Sequence, residues 1–145
     1  MTTTEKTIEI CGRQVPLLYS AATETGYEQL SGKQISVFLP QFGKDKDGNV
    51  IITQQPTATT EDYLHLVVAA VVAANEKERH VKKLKPEELP LPIDSADLLY
   101  NATKREITQI IATVLELRNA WYEIPAVMKQ DLLNTDNDDE EKPKN

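Results

Sequence analysis

At 145 residues, with 40% hydrophobic and 27% charged, the chain suits one domain that buries about 68% of the surface its unfolded form exposes. Its formal net charge of -7 argues against broad binding to nucleic acids or anionic membranes, because their phosphates repel an acidic surface. The lone Cys11 excludes an internal disulfide, and the longest apolar run, the nine residues Leu66 to Ala74, is under half of the roughly 20 needed to span a bilayer.

The first residues, MTTTEKT, lack a basic segment followed by an apolar run, so a signal peptide is not expected and a cytoplasmic, reducing location is. Residues 1–6 are read as flexible, 7–133 as one globular domain and 134–145 as a disordered acidic tail. From Thr7 to Ser20 the pattern TIEICGRQVPLLYS alternates around a Gly12-Arg13 turn, which predicts a β-hairpin with Pro16 on an edge strand. Cys11 is read as a small buried residue, since no histidine or cation stands near to activate its thiol.

Ser20 is a good N-cap for a helix over AATETGYEQLSG, with Ala22, Gly26 and Leu30 on one side, Tyr27 nearby and Gly32 as terminator. Ile35, Phe38, Leu39 and Phe42 fit helical spacing, while Ile35, Val37 and Leu39 also alternate. Pro40 disfavours a long helix and a central strand alike, which favours a short helix before the charged loop.

The loop itself, DKDGNVIIT from Asp45 to Thr53, begins like a calcium loop, with Asp45, Asp47 and Asn49 at the first three ligand positions. The sixth position, where the sharp turn requires glycine, is Val50; the twelfth, where a bidentate glutamate should close the shell, is Pro56. The stretch is therefore expected to be a polar turn between two packed segments, the second a short strand or extended piece at Val50 to Thr53.

Thr59 or Thr60 caps the next helix, Glu61 and Asp62 suit its first turn, and Tyr63 to Asn75 is apolar at nearly every position, as a central core helix would be. The basic KERHVKKLK, Lys77 to Lys85, complements that helix's C-terminus, and PEELPLP then forms an extended connector. Asp94 or Ser95 should cap one long helix through Ile124, with a stripe of Leu99, Ala102, Ile107, Ile110, Ile111, Val114, Leu117 and Trp121. A last short helix is expected over Ala126 to Leu133. The predicted fold is thus mainly α with a small N-terminal β-hairpin (α+β), around a core of three to five helices.

Catalytic and metal chemistry have little to draw on. His65 lies in the core helix, as a hydrogen-bonded core or boundary residue, and His80 in the basic segment; with one cysteine they form no zinc pattern. No phosphate-cradling glycine loop occurs. No enzyme, cofactor or metal is expected.

Two short motifs point to a family. Ile8 to Leu17 carries I-x-I-x-G-x-x-x-P-L, and Tyr27-Glu28-Gln29-Leu30-Ser31-Gly32-Lys33 follows. Together with the apolar helix, the polar connector, a helix introduced by Ile93-Asp94 and a charged tail, these resemble the small tail assembly chaperones of long-tailed phages and prophages, with Ser31 where threonine is usual. The match runs from Ile8 to Trp121. It implies a non-enzymatic protein that binds the tape measure protein, and tail tube subunits as a second client, before tail assembly; a homo-oligomer is left open. A client groove is expected between the two long helices, lined by Tyr63, Val67, Val71, Leu99, Ile110, Val114 and Trp121. The rival reading is a regulatory or adaptor domain of a mobile element, binding nucleic acid or an acidic partner through residues 79–85.

Overall fold

A computed structural model describes residues 4–123. The expected helix at Ala126 to Leu133 and the acidic tail lie outside them. In chain order the elements are β1 (Glu5–Ile10), β2 (Arg13–Leu18), α1 (Ala21–Ser31), β3 (Gln41–Lys44), β4 (Val50–Gln54), α2 (Thr60–Lys82) and α3 (Lys104–Trp121). Short 3-10 turns at Ile35–Phe38 and Pro86–Glu88 and a π turn at Asp97–Asn101 join them. The fold is α+β and mostly helical, as the apolar periodicities predict.

β1 and β2 form the expected hairpin, in the register Ile8↔Val15 and Ile10↔Arg13. Its turn is Cys11-Gly12 rather than Gly12-Arg13. Both residues have positive φ, 54° and 73°, the mirror-image turn that suits the twist of a two-residue hairpin. Cys11 is therefore a half-buried turn residue and not a core one, and its backbone N–H donates to Glu106 Oε2 at 2.9 Å. β1 begins at Glu5, so two residues assigned to a flexible leader belong to the ladder. Ile8, Ile10, Val15 and Leu17 send their side chains into the core, which they share with Leu66 to Val71 of α2 and Ile110, Val114 and Leu117 of α3.

Helix α1 starts at Ser20 as expected, with a reciprocal box between Ser20 and Thr23. Its buried side is Thr23 and Tyr27, not the side of Ala22 and Leu30, both of which are exposed. Gly26 explains the choice: a Cβ there would lie 3.5 Å from Ala69 Cβ, so α1 crosses α2 where both side chains are minimal. The cost of a mid-helix glycine, about 1 kcal/mol, is offset by this close approach.

Helix α2 is the central element and runs through the basic segment to Lys82, seven residues past the apolar stretch that ends at Asn75. Leu66 to Val71 are all buried. Asn75 is also buried, and its side-chain amide donates to the carbonyls of Leu89 and Pro90 at 3.1 and 3.3 Å, which fastens the proline connector to the helix.

The long helix predicted from Ser95 is interrupted. Ala102 and Thr103 are extended, and α3 starts afresh with a capping box in which Thr103 and Glu106 satisfy each other's backbone N–H. Upstream, Asp94 and Asp97 bond reciprocally and lead into the π turn. The helical stripe consequently loses its first member: Leu99 is 58% exposed. Arg13 reaches across to the Pro92 carbonyl and to Asp97, fixing this break against the tip of the first hairpin.

Asp62 joins three segments. The carboxylate is 2% exposed and accepts from Thr59 N–H at 2.8 Å, Lys33 Nζ at 3.2 Å and Tyr27 Oη at 3.2 Å. Burial alone would raise its pKa; the hydrogen bonds from Thr59, Lys33 and Tyr27 outweigh it and hold the acid below its ordinary value. A folded pKa below the unfolded one, about 3.9, contributes stability that is full above that pH and is lost as pH falls through the folded value. Asp62→Asn should lower stability at pH 7 by about 1–3 kcal/mol and reduce the loss between pH 5 and 2. Urea unfolding of both proteins across that range checks it; equal stabilities at pH 7 would refute the role.

Candidate binding surfaces

The side chains expected to line a client groove do not share a surface. Val67, Val71, Ile110 and Val114 are buried where α2 and α3 pack on each other, so the space expected for a client is filled by core. Tyr63 is half-buried with its ring 5.0 Å from Phe38, and Trp121 is half-buried with its ring 5.6 Å from Tyr19. Leu99 is exposed on the π turn, beside the more exposed Tyr100. Helical spacing identified core residues here, because a helix packed on a neighbour shows the same stripe as one that awaits a ligand.

Exposed apolar surface stands elsewhere, on the β3–β4 hairpin. Phe42 is 51% exposed, Val50 68% and Ile51 41%, with Leu39 at the base also in solvent. The two strands form their own two-stranded sheet and make their extensive contacts with each other alone. The short strand that was one expectation for Val50 to Thr53 forms as β4, but as part of an exposed arm and not packed. Its root is fixed where the Val37 carbonyl accepts from both Thr57 and Ala58 N–H at 3.0 Å, next to the Thr59 cap of α2.

The turn of this arm is the DKDGN stretch. Gly48 N–H donates to the Asp45 carbonyl and Asp45 N–H to the Asn49 carbonyl, both at 3.0 Å, with Gly48 at φ 85°. This is a three-residue loop closed by a left-handed bulge, where glycine avoids the steric cost of a Cβ. The Asp45 carboxylate turns inward, accepting from the N–H groups of Asp47 and Asn49 at 2.9 Å each. Both bonds fall on Oδ1, and Oδ2 accepts from the Asn49 side-chain amide at 3.5 Å, so the carboxylate serves the turn itself. Further along, a bulge beside Phe42 aims Thr53 across β3, and a Cβ on Gly43 would meet Thr53 Cγ2 at 2.7 Å.

The polar candidates lie apart from the arm. His65 Nδ1 is buried without a hydrogen-bond partner among the described residues, contrary to the bonded role expected of it. Burial, and then the nearby Glu106 and Asp97, push the Cys11 thiol up and away from its nucleophilic form. In the basic segment, Arg79 donates to Asn75 and pairs with Glu76, and Lys82 pairs with Glu78, so neighbouring acids offset part of its charge. An open cleft of about 250 Å³ between the first hairpin and α2 is lined by Thr7, Pro16, Leu17, Ala74 and Val81, and by the ion pair of Lys77 with Glu5. Among the described residues no group of three or more His, Cys, Asp or Glu could hold a metal ion, and no helix is long and apolar enough to cross a membrane.

No family model, curated protein or solved structure matches this chain.

Because the arm shares little with the core, its damage should stay local. Gly48→Val places a β-branched residue at positive φ, at a cost of about 1–2 kcal/mol to the arm. Amide exchange at Ile51 should then accelerate while global stability stays within about 0.5 kcal/mol, measured by hydrogen exchange and denaturant titration. Millimolar calcium should leave the melting temperature unchanged; a clear rise would restore the metal reading.

Proposed function

We propose that this chain is a non-enzymatic tail assembly chaperone of a long-tailed phage or prophage, working in the host cytoplasm. In this reading it holds apolar segments of the tape measure protein, and secondarily tail tube subunits, until assembly. The observation that carries the reading is the arm: a well-formed hairpin that presents Phe42, Val50 and Ile51 to solvent and, among the described residues, makes its extensive contacts between its own two strands. Apolar side chains held outside a core by a hydrogen-bonded turn are surface available to another protein. The two motifs resembling the family supply the identity of the client.

The arm replaces the interhelical groove as the proposed client site. A client's amphipathic helix would lay its apolar face on Phe42 and Val50, and the acidic body of the chaperone, at net charge -7, would keep the complex in solution.

Coexpression with the tape measure protein encoded beside it should yield a soluble complex that copurifies. Phe42→Ser with Val50→Ser removes side chains worth about 1.5–3 kcal/mol each when fully buried, so client affinity should fall at least about tenfold with little change in melting temperature. No complex and no gain in client solubility would overturn the reading.

A further inference from the structure

We infer that the segment after Glu123 folds back along α2. Residues 124–133 seat apolar side chains in the cleft between the first hairpin and α2, and the acids of 136–141 reach the lysines at the end of that helix. The inference stands independently of the client reading, which concerns the arm.

The cleft offers an apolar seat. Leu17 is buried at its floor, Pro16 and Ala74 are half-buried, and Val81 is 67% exposed. Its lining charges, Lys6 and Lys77 against Glu5 and Glu78, cancel in sum. Apolar contact is therefore what the cleft can select, in the way a groove accepts the apolar face of an amphipathic helix.

The described chain leaves the fold beside this cleft. Trp121 and Tyr122 set their rings 5.6 and 6.4 Å from the ring of Tyr19, and Tyr19 N–H donates to the Thr4 carbonyl at 2.9 Å. The next residue, Glu5, lines the cleft and pairs with Lys77. Ten residues, Ile124 to Leu133, follow Glu123, and Ile124, Val127, Met128 and Leu132 recur at helical spacing. As a helix they would measure about 15 Å, against about 12 Å for the stretch of α2 from Ala74 to Lys82. Residues 1–3 also adjoin Thr4, but Met1 is their one apolar side chain.

The order of residues along the segment matches the order along α2. The cleft face of the helix, Ala74, Lys77, Glu78 and Val81, continues at the same spacing to Lys82, and Lys83 and Lys85 come next. Lys82 pairs with Glu78; Lys83 and Lys85 form no ion pair among the described residues. In the segment, the apolar residues are followed by Asp136, Asp138, Asp139, Glu140 and Glu141. The step from Leu133 to Asp136, about 10 Å when extended, spans nearly two helical turns, so apolar and charged contacts can form together. A short tether holds such groups at a roughly millimolar effective concentration, which lets individually weak contacts persist. The basic stretch 79–85 then faces acids of its own chain.

Nitroxide labels on the full chain test this in a Cys11→Ser background. A label at Gln130→Cys should broaden the amide signals of Thr7, Leu17 and Val81, and one at Asn137→Cys those of Lys82, Lys83 and Lys85. Val50 and Ile51 of the arm should stay sharp under both. At about 0.5 M salt, where the Debye length is about 4 Å, the second set should recover while the first persists. Val81→Asp, at an exposed position that the core does not need, should restore the first set. Failure of either label to broaden its own set overturns the proposal. So does broadening by the first label that survives Val81→Asp, or broadening seen only when labelled chains are mixed with unlabelled ones, which marks a second copy as the occupant.

Discussion

A buried carboxylate must find donors, and the need of Asp62 for them organises one end of this molecule. Its partners come from the α2 cap (Thr59), from the end of α1 (Tyr27) and from the residue after that helix (Lys33), so three chain segments converge on one side chain. Remove any of them and an ionised group would sit nearly dry with too few bonds. The rings of Tyr27, Phe38 and Tyr63 follow one another at 4.9 and 5.0 Å alongside, adding apolar contact to the polar junction. Because Phe38 and Val37 leave this junction directly for the arm, and Thr57 and Ala58 return to it, the same interaction fixes where the arm departs.

The junction also gives physical meaning to the Tyr27 to Lys33 motif. Tyr27 donates to Asp62; Glu28 accepts from the Ile35 N–H at 3.1 Å; Ser31 accepts from the Lys33 N–H at 3.0 Å; Gly32 ends α1 in the left-handed conformation; Lys33 pairs with Asp62. Serine and threonine offer the same hydroxyl at the place where the sequence departs from the family pattern. Each of these residues ends or anchors a helix. The motif is thus an account of how α1 stops and turns.

Sequence reasoning succeeded where one local rule governed. Ser20 and Thr59 cap their helices, Pro16 and the alternation around it make a hairpin, and the unbroken apolar run makes α2 the core. It failed where two rules competed. The stripe from Leu99 to Trp121 suggested one helix, yet Thr103-x-x-Glu106 is a capping box in the middle of it, and satisfying four orphan N–H groups at a new start prevailed over periodicity. The expected groove is filled by core for a related reason: a single sequence shows that Val67 and Ile110 are apolar, not that each already has a partner across the core. The sequence leaves residues 35–53 open between helix and hairpin, and the exposure of the arm is the unexpected part, because Phe42 and Val50 read as packed for being apolar. Pro40, the DKDG turn and the run of β-branched residues after it were its legible signals.

Two parts of the molecule are held very differently by the fold. Trp121 and Tyr122 lock α3 against Tyr19, and Tyr19 and Tyr122 both donate to Glu24, so this corner has aromatic packing and a shared acceptor. Among the described residues, the arm is held by its own ladder and turn and by its root at Val37. Global stability therefore depends on the aromatic corner far more than on the arm. Its strands can drift, lengthen or be exchanged for another hairpin of equal span, provided Val37 still meets Thr57 and Ala58. A scaffold built this way can change its arm without refolding the body that carries it.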